Sequence, residues 1–497
     1  MSAVPVSLGS LLHGLAAVPQ DVSLTDLTLD SRQVRPGGAF LACRGERHHG
    51  LEFAQDVARR GAAAIVWEPD GIHQPPRMDS SIVLAEVPRL GERASLIADR
   101  FFGSPSRQLD VIGVTGTNGK TTCAWLLAQA LSACDLPAAY LGTLGAAFGG
   151  ALVAGEMTTP DAITVQRQLS GFATRGARKT AMEVSSHGLA LGRVDAVHFD
   201  AAVFTNLTRD HLDFHGDMQS YGAVKASLFE REEVRLRVFN VDDAFGAQLA
   251  ARPAFAGCIA CSSRATGASP RGRHVQARDI HFDATGTRFT LQSSFGTAQI
   301  ASQLLGEFNV DNVLAVLAVL LGSGVQLSRV VAAVRALRAP SGRLEVFTRP
   351  DAPLVVVDYA HTPDALENAL QVLRRHCGGR LIAVFGCGGD RDRGKRPLMG
   401  GIAARLADAV ILTDDNPRGE SGDAILAGIM AGLQGSATPV QVVRDRRQAI
   451  LAAVADAKAG DVVLVAGKGH ESVQIVGGEK RPFSDQAVVR GALELAS

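Results

Sequence analysis

The residues with the clearest chemical meaning lie in segment 113–122, whose sequence is GVTGTNGKTT. The apolar run 109–114 predicts a buried strand before it, and residues 123–131 predict a helix after it. A glycine-rich turn between strand and helix directs backbone N–H groups at an anion, and the helix N-terminus adds positive potential. We therefore expect Lys120 to reach the outer phosphates of a nucleotide and the Thr121 hydroxyl to hold Mg²⁺.

The glycines of this loop depart from the commonest phosphate-binding pattern. A loop of the form G-x-x-x-x-G-K-[ST] requires glycine where this chain has Val114. The glycines stand instead at positions 113, 116 and 119. The spacing therefore argues against an ordinary GTPase or transport ATPase and indicates a nucleotide loop of another kind.

Two further candidates, Glu183 and His211, lie at the C-terminal ends of predicted strands at 180–184 and 201–205. Ligands of open α/β sheets bind at that edge. A carboxylate and an imidazole there are suited to complete a divalent-metal site beside a triphosphate. Taken singly, a helix cap explains Glu183 and an ordinary loop histidine explains His211 equally well. The local spacing of Lys225 predicts only a solvated helical lysine.

A second charged group lies in the C-terminal part of the chain. Segment 386–391 (GCGGDR) is like a dinucleotide fingerprint, but its sixth position is Arg391 rather than glycine or alanine, which disfavours a redox cofactor. Arg391, Arg418 and Glu471 each follow a predicted strand, and we expect them at one sheet edge. An arginine fork binds a carboxylate and a glutamate pairs with an ammonium, so the set suits an amino-acid-like zwitterion. A structural ion-pair network is the alternative interpretation.

Three predicted α/β regions position these residues. Their boundaries are 1–107, 108–340 and 341–497. In the first, short strands are predicted at 39–42, 63–67 and 82–84. The second alternates apolar strands (180–184, 201–205 and 237–240) with helical stretches, which indicates a mainly parallel sheet.

The end of the second region and the third region follow the same logic. Residues 251–302 are rich in Gly, Ser and Thr and predict a small antiparallel insertion, and 311–321 predicts an apolar helix. Beyond these, four apolar strands separated by helical patterns indicate a doubly wound, Rossmann-like unit. They are predicted at 354–359, 381–385, 409–413 and 462–466.

The composition is that of an ordinary globular protein. Hydrophobic residues make up 46% and charged residues 20%, and 50 basic residues balance 50 acidic ones. The absence of a basic excess argues against nucleic acid as a partner. No apolar run reaches the length of about 18 residues that a membrane span requires. Seven cysteines without a framework suit a reducing compartment, so the expectation is a cytoplasmic protein without membrane insertion.

Taken together, these motifs resemble the Mur ligase family. The resemblance rests on the loop 115–122 (TGTNGKTT) with 183–187 (EVSSH), 205–213 (TNLTRDHLD) and 358–363 (DYAHTP), and it extends from residues 30–32 (DSR) to 467–471 (GKGHE). It is closest to the diaminopimelate-adding branch, because residues 415–418 (DNPR) match the motif by which that branch recognises its amino acid.

The resemblance implies three domains and an ADP-forming acid–amino-acid ligase. The domains would be an N-terminal α/β substrate domain, a central P-loop ATPase domain and a C-terminal amino-acid-binding domain. With ATP and Mg²⁺, the enzyme would add meso-diaminopimelate to UDP-N-acetylmuramoyl-L-alanyl-D-glutamate through an acyl phosphate, releasing ADP and phosphate. This implies a role in peptidoglycan synthesis, and hence in cell wall biogenesis, cell shape and cell division. A monomer is expected.

The resemblance also implies roles for individual residues. Catalytic roles fall to Lys120, Glu183, His211 and Lys225, with Lys225 at the position of a carbamylated lysine. Metal contacts fall to Thr121, Glu183, His211 and the Lys225 carbamate. Nucleotide contacts fall to Gly116, Thr117, Asn118, Gly119, Lys120, Thr121, Thr122, Asn312, Arg343 and Asp358. Contacts to the uridine-linked substrate fall to Leu29, Ser31, Thr158, Thr159, Ser185 and Arg193. Diaminopimelate contacts fall to Arg391, Asp415, Asn416, Pro417, Arg418, Gly467 and Glu471.

Two positions depart from the family pattern, and three alternatives remain. Leu191 stands where some relatives have glutamine, and His49 stands where aspartate is common, so no uridine contacts are assigned to residues 46–48. A lysine-adding homologue is excluded only through Arg418. A folylpolyglutamate synthase would usually carry Gly-Ser after the loop lysine. From another class, a non-ligating nucleotide-binding regulatory protein is disfavoured by the intact candidate residues.

Overall fold

The computed structural model describes residues 6–45, 48–69, 75–78, 82–155, 157–264, 272–283 and 285–495. The chain forms two compact units, Met1–Ile259 and Ala260–Ser497. In the part of the chain that the structure describes, no helix is both long and apolar enough to cross a membrane.

The first unit begins with a small parallel sheet. An antiparallel pair, β1 (Val6–Ser7) and β2 (Ser23–Leu24), precedes four parallel strands in the order β3-β4-β5-β6. These are β3 (Leu27–Thr28), β4 (Ala39–Ala42), β5 (Ala64–Trp67) and β6 (Val83–Glu86), with helices α1 (Leu8–Leu11), α2 (Ala54–Arg59) and α3 (Leu90–Phe101). The three strands predicted here are confirmed to within two residues.

A larger sheet completes the first unit, with strand order β10-β9-β8-β11-β7-β12-β13. Its strands are β7 (Asp110–Thr115), β8 (Ala138–Gly142), β9 (Gly145–Phe148), β10 (Ala151–Val153), β11 (Lys179–Glu183), β12 (Ala201–Phe204) and β13 (Leu236–Asn240). Its helices are α4 (Lys120–Ala133), α5 (Ala162–Thr174), α6 (Ser186–Ala190), α7 (Leu212–His215), α8 (Met218–Ala226) and α9 (Ala244–Ala250). Strands β8, β11, β7, β12 and β13 are parallel, as predicted, so their carboxyl ends share one edge.

The second unit opens with antiparallel strands, confirming the predicted insertion. After β14 (Ile259–Ser262), the strands β15 (Arg273–Asp283), β16 (Gly286–Ser293) and β17 (Gly296–Ser302) pair in sequence order. Helices α10 (Glu307–Gly322) and α11 (Leu327–Arg335) follow. Helix α10 is buried almost all round, which explains the continuous apolar run in its sequence.

The rest of the second unit is a six-stranded sheet in the order β18-β19-β23-β20-β21-β22. Its strands are β18 (Glu345–Phe347), β19 (Leu354–Asp358), β20 (Leu381–Phe385), β21 (Ala409–Leu412), β22 (Val440–Val442) and β23 (Val462–Ala466), and β24 (Val473–Val476) with β25 (Glu479–Pro482) forms a hairpin. Its helices are α12 (Pro363–Arg374), α13 (Lys395–Leu406), α14 (Gly422–Met430), α15 (Arg446–Asp456) and α16 (Asp485–Ala492). Separate apolar clusters cover its two faces, the doubly wound arrangement that was predicted.

Within the second unit, His376 follows α12 and joins it to the end of β15 and the start of α10. Its side chain is buried, Gly306 N donates to Nε2 at 3.0 Å, and Nδ1 lies 2.7 Å from the carbonyl oxygen of Asp283. Because a backbone N–H can only donate, Nε2 is the acceptor and the ring is neutral with its proton on Nδ1. Burial lowers the pKa of His376 accordingly.

We expect His376 to make the second unit sensitive to acid. The unfolded chain takes up a proton at this position below about pH 6.5, and the folded chain takes it up only at lower pH, so stability is present above about pH 6.5 and is lost as the pH falls below it, by at most about 1.4 kcal/mol per pH unit. Urea unfolding at about pH 7.5 and about pH 5.5 measures the loss. His376→Gln should reduce the difference, whereas His281→Gln, at an exposed position of β15, should retain it.

Candidate active site

The phosphate loop of the first unit has the predicted form. Strand β7 ends at Thr115, α4 begins at Lys120, and no side chain caps the first turn of α4. Gly116 and Gly119 have φ of 145° and 84°, a region that favours glycine. A Cβ at Gly116 would collide with the Thr205 hydroxyl. The N–H groups at the start of α4 are therefore available to an anion.

The segment after β12 holds this loop in place. Thr117 N donates to the carbonyl oxygen of Asn206 at 2.8 Å, and Asn118 N donates to Oδ1 of the same residue at 2.9 Å. The Thr205 hydroxyl donates to the carbonyl oxygen of Asn118 at 2.6 Å, and Thr117 Oγ1 accepts from Thr208 N at 3.0 Å. The loop conformation is thus held by hydrogen bonds within the protein.

Two lysines converge on one carbonyl of the loop. Lys120 Nζ donates to the carbonyl oxygens of Gly116 and Thr117 at 2.9 and 2.8 Å, and Lys225 Nζ donates to Gly116 at 2.7 Å. Burial lowers the pKa of Lys120. Burial and the nearby charge of Lys120 lower the pKa of Lys225 to about 6. Lys225 is only 1% exposed, so the local interpretation of it as a solvated lysine is wrong.

Glu183 is completely buried beside the loop and accepts four hydrogen bonds. Oε1 accepts from the Tyr140 hydroxyl at 2.6 Å and from Thr143 N at 2.8 Å. Oε2 accepts from the hydroxyls of Thr121 at 2.8 Å and Thr143 at 3.2 Å. A Cβ at Gly142 would collide with this carboxylate. Glu183 is therefore a fixed anion beside the first turn of α4 and not a helix cap.

His211 lies on the same edge but is exposed. Its backbone has φ of 51°, and Nε2 lies 3.4 Å from a carboxylate oxygen of Asp210. Its ring meets that of His187 at a centroid distance of 4.8 Å, and the ring of His215 lies 5.6 Å from His187. Burial and the neighbouring imidazoles and cations lower the pKa of both His187 and His215.

The oxygens of Thr121 and Glu183 suit a hard divalent cation such as Mg²⁺. They lie 2.8 Å apart at the start of α4. Among the described residues, no group of three or more His, Cys, Asp or Glu side chains is placed to hold a metal ion alone. A Mg²⁺ ion would therefore need nucleotide oxygens to complete its coordination, which is how nucleotide sites usually hold it.

Four of the residues implied in uridine-linked substrate binding lie together next to Glu183. The hydroxyl oxygens of Thr158 and Thr143 lie 3.0 Å apart, and the Thr159 hydroxyl donates to the carbonyl oxygen of Glu183 at 2.9 Å. Ser185 N donates to the Thr159 hydroxyl at 2.9 Å, and Arg193 donates to the Thr159 carbonyl at 2.8 Å. The Thr159 hydroxyl thus donates one hydrogen bond and accepts another at the C-terminal end of β11.

The other two, Leu29 and Ser31, follow β3 in the small sheet, where Asp30 caps a short 3₁₀ turn. His49 caps the short 3₁₀ turn that follows it: its ring accepts from Leu51 N at 3.1 Å, and its own N–H donates to Glu52 at 2.9 Å. Leu191 is exposed. Residues 46 and 47 lie outside the described part of the chain.

In the second unit, the loops after β20, β21 and β23 form a charged cluster at one sheet edge. Asn416 Nδ2 donates to Glu471 Oε2 at 2.8 Å, and Arg418 Nη1 donates to the carbonyl oxygen of Gly389 at 3.0 Å. A Cβ at Gly388 would meet Arg418 Nη1 at 2.7 Å and Arg391 Cγ at 3.7 Å, so both arginines flank this glycine. The predicted grouping of two cations and one anion at this edge is observed.

Three more of the predicted diaminopimelate contacts, Asp415, Pro417 and Gly467, lie in close contacts within this cluster. Pro417 lies so close to Gly389 that a Cβ there would collide with its carbonyl oxygen, and a Cβ at Gly467, which has φ of 119°, would collide with the Asp415 carboxylate. Burial raises the pKa of Asp415.

The nucleotide residues implied in the second unit fall into two groups. The Arg343 guanidinium lies 5.1 Å from the ring centroid of Tyr359, and Asp358 Oδ2 accepts from Leu344 N at 2.7 Å. Burial raises the pKa of Asp358. Asn312 is buried in α10, where its amide donates to Asn309 at 3.0 Å. Among the described residues, no hydrogen bond or ion pair joins Asn312 to Arg343 or Asp358.

Several residues of these sites carried no usable sequence signal. Tyr140 and Thr143 bind Glu183, and Tyr221 places its ring 4.6 Å from Lys225 Nζ. Tyrosine and threonine are common in strands and helices, and only tertiary packing brings these residues to the loop. Lys468, by contrast, lies within the GKGHE segment at 467–471, and that position was a usable sequence signal for a place in the amino-acid cluster.

Comparison with known proteins agrees with this architecture. The chain matches family models described as "Mur ligase family, catalytic domain" over residues 23–95, "Mur ligase middle domain" over 114–320, and "Mur ligase, glutamate ligase domain" over 342–469. With its P-loop sheet and doubly wound C-terminal sheet, the chain belongs to the Mur ligase family and has its three-domain architecture.

Individual relatives show which members of the family the chain is similar to. The chain is 48% identical to the UDP-N-acetylmuramoyl-L-alanyl-D-glutamate–2,6-diaminopimelate ligase of Ectopseudomonas mendocina (strain ymp), covering 99% of this chain and 98% of the relative. A solved structure of a ligase with the same name is 35% identical, with a TM-score of 0.74 and 99% of both chains covered. MurF ligase of Thermotoga maritima, solved in complex with ADP, has a TM-score of 0.61 at 19% identity, covering 89% of this chain and 93% of that one, and shows the shared fold alone.

Proposed function

We propose that this protein is an ATP-dependent ligase that joins meso-diaminopimelate to the D-glutamyl residue of UDP-N-acetylmuramoyl-L-alanyl-D-glutamate. The observation that carries the proposal is the cluster of Arg391, Arg418 and Glu471 at one sheet edge, in a chain similar to diaminopimelate ligases over its whole length. Two guanidinium groups suit the two carboxylates of diaminopimelate, and Glu471 suits an ammonium.

The reaction begins with phosphate transfer from ATP to the γ-carboxylate of the D-glutamyl residue. A carboxylate is a poor electrophile, and the acyl phosphate gives it a leaving group. The neutral amine of diaminopimelate then attacks the acyl carbon, the tetrahedral intermediate collapses to the amide by expelling phosphate, which takes up the proton lost from nitrogen, and ADP and phosphate leave. The chain's contribution is to position the groups and neutralise charge, which the preorganised loop, Lys120 and the start of α4 are suited to do.

Thr121 and Glu183, with His211 as a further candidate ligand, would hold Mg²⁺, and the ion would supply positive charge to the phosphates. The four hydrogen bonds to Glu183 fix the carboxylate on which this binding depends.

Lys225 is proposed to act as a carbamate. A pKa of about 6 leaves its amine neutral at physiological pH, and a neutral amine adds to CO₂, giving the carbamate and one proton. The change would replace a neutral amine that faces Lys120 with an anion. The attraction between the two groups supports the modified form, and a carboxylate at this position suits a metal ion beside the phosphates.

The domain limits 1–107, 108–340 and 341–497, a monomeric state and a cytoplasmic location are parts of the same proposal. In this scheme the uridine-linked substrate binds to Leu29, Ser31, Thr158, Thr159, Ser185 and Arg193. The loop residues are proposed nucleotide contacts in the first unit, and Asn312, Arg343 and Asp358 are proposed nucleotide contacts in the second.

The test is acceptor-dependent ADP release with the purified full-length chain, ATP, Mg²⁺ and UDP-N-acetylmuramoyl-L-alanyl-D-glutamate. We expect release with meso-diaminopimelate and at least about 100-fold lower kcat/KM with L-lysine or L-ornithine, because each lacks the second carboxylate. Equal efficiency with lysine would overturn the specificity. Failure with every acceptor would overturn the ligase proposal and favour a nucleotide-binding protein without ligation.

A further inference from the structure

Lys468 is a buried cation whose contacts are residues of the amino-acid cluster. Its side chain is 0% exposed. Nζ donates to Asn416 Oδ1 at 3.0 Å and to Glu471 Oε2 at 2.9 Å, and lies 4.0 Å from Asp415 Oδ1. One ammonium thus joins the loop after β21 to the loop after β23.

The contacts of Lys468 leave one side of Glu471 available. Oε2 accepts from both Lys468 and Asn416, whereas Oε1 has no hydrogen-bond donor among the described residues. The Glu471 side chain is 30% exposed. A carboxylate held by one oxygen directs the other toward a ligand with a fixed orientation.

We propose that Lys468 is a positioning residue for the acceptor amino acid: it holds Asn416 and Glu471 in the geometry that binds the acceptor's ammonium group. The inference rests on the proposed function, because it takes Glu471 as a contact to diaminopimelate. Lys468 itself is buried and acts through its two partners.

A nearby buried ion pair has different hydrogen-bond partners. Arg446 and Asp485 are both completely buried and form two hydrogen bonds of 2.7 Å. That pair links α15 to the start of α16, and Asp485 is not a member of the cluster. Lys468, in contrast, has Asn416 and Glu471 as its hydrogen-bond acceptors. Removing it would leave Glu471 Oε2 with the Asn416 amide as its one donor among the described residues, and Asn416 Oδ1 with only Ile475 N, so the carboxylate would be held less firmly.

The electrostatics of Glu471 agree with this role. Burial pushes the pKa of Glu471 upward, but hydrogen bonds from Asn416 and Lys468 and the charge of Lys468 hold it below its ordinary value. The carboxylate is thereby kept ionised, as the recognition of an ammonium group requires.

The experiment replaces Lys468 with methionine, which preserves most of the buried stem and removes the charge. We expect Lys468→Met to raise the KM for diaminopimelate about 10- to 30-fold, the range for losing hydrogen bonds to a charged group. The KM values for ATP and the UDP-linked dipeptide, and kcat at saturating diaminopimelate, should change by less than about 3-fold. In Lys468→Gln the side-chain amide can still donate a hydrogen bond, so the rise in the KM for diaminopimelate should be smaller than in Lys468→Met.

A double-mutant cycle separates positioning from general damage. If Lys468 acts through Glu471, Lys468→Met added to Glu471→Gln should raise the KM for diaminopimelate by less than about 3-fold beyond Glu471→Gln alone. Multiplicative effects of the two substitutions would contradict the inference.

The matched control is Arg380→Met. Arg380 pairs with Asp461, which lies immediately before β23, at the end of that strand opposite the cluster. The Arg380→Met substitution should lower the unfolding midpoint without changing the KM for diaminopimelate. If Lys468→Met cannot bind ATP and has therefore lost its fold, Lys468→Gln carries the same test. A wild-type KM for diaminopimelate in the folded variant overturns the inference alone, whereas a wild-type chain that does not ligate diaminopimelate overturns the proposed function.

Discussion

Replacing Lys225 with alanine is expected to lower kcat by about 10²- to 10³-fold, the range seen when a preorganised charged group is removed from a reaction centre. Lys225 is buried, contacts the phosphate loop through Gly116 and faces Lys120. Its replacement would remove the group that the proposed carbamate needs. Nucleotide binding should persist, because Lys120 and the start of α4 are unchanged.

Two measurements distinguish a carbamate from a simple amine. Acetate or formate, which is small enough to enter the space left in Lys225→Ala, should restore part of the activity, whereas methylamine should not. In the wild-type protein, removal of dissolved CO₂ should lower activity, and adding bicarbonate should restore it. Rescue by methylamine alone would show that the amine is the working form.

The pH dependence follows from the same chemistry. Above about pH 6 the Lys225 amine is neutral and able to take up CO₂, and below that pH the ammonium form predominates and the carbamate breaks down. Activity should therefore fall on the acid side. Lys179→Ala is the matched control: Lys179 pairs with Asp110 at the beginning of β11, at the end opposite Glu183, and its loss should leave kcat unchanged.

The second large effect is expected at Arg418, where alanine should lower kcat/KM for diaminopimelate about 100-fold or more and leave the weak activity with lysine nearly unchanged. A guanidinium that binds the distal carboxylate bidentately contributes nothing to an acceptor that lacks that carboxylate. Arg418→Lys should lose most of the same discrimination, because an ammonium cannot reproduce the planar fork.

The structure supports this expectation in two ways. Arg418 Nη1 is held by the Gly389 carbonyl, while Nε and Nη2 have no acceptor among the described residues. The backbone of Arg418 donates to Ile475 at 3.0 Å and accepts from Gly477 at 2.8 Å, so the β24–β25 hairpin fixes the loop. The φ of 50° at position 418 strains arginine and alanine equally. A loss of activity in Arg418→Ala would therefore come from the missing guanidinium and not from the backbone.

The control for Arg418 is Arg481→Ala on the same hairpin. Arg481 is exposed and pairs only with Glu479 among the described residues. We expect its KM for diaminopimelate to equal that of the wild type. A similar loss in Arg481→Ala and Arg418→Ala would show that the hairpin and not the guanidinium sets the specificity.

Much of the architecture followed from the chain itself. The apolar strands at 39–42, 381–385 and 462–466 are predicted with their exact limits, because a parallel strand buried on both faces leaves a short continuous apolar run in the sequence. Gly116 and Gly119 mark the phosphate loop because its backbone requires positive φ. The grouping of Arg391, Arg418 and Glu471 followed from their positions after parallel strands, whose carboxyl ends share an edge.

The environments of the site residues could not be predicted from the sequence in this way. Spacing along α8 makes Lys225 look like any lysine on a helix, yet the fold buries it against the phosphate loop and depresses its pKa. Glu183 is set by Tyr140 and Thr143, which lie about 40 residues earlier in the chain. Helix limits also shifted, since α4 begins at Lys120, three residues before the predicted start.

The sequence by itself determined which residue types the protein carries, the order of its strands and helices, and the family to which the motifs belong. These depend on local periodicity and fixed spacing, which a sequence records directly. The tertiary structure alone decided which of those groups are buried, which oxygen of Glu471 stays free, and how Lys225 and Lys468 are held. Burial and hydrogen bonding depend on residues distant in the chain, and these set the charge and orientation on which the chemistry depends.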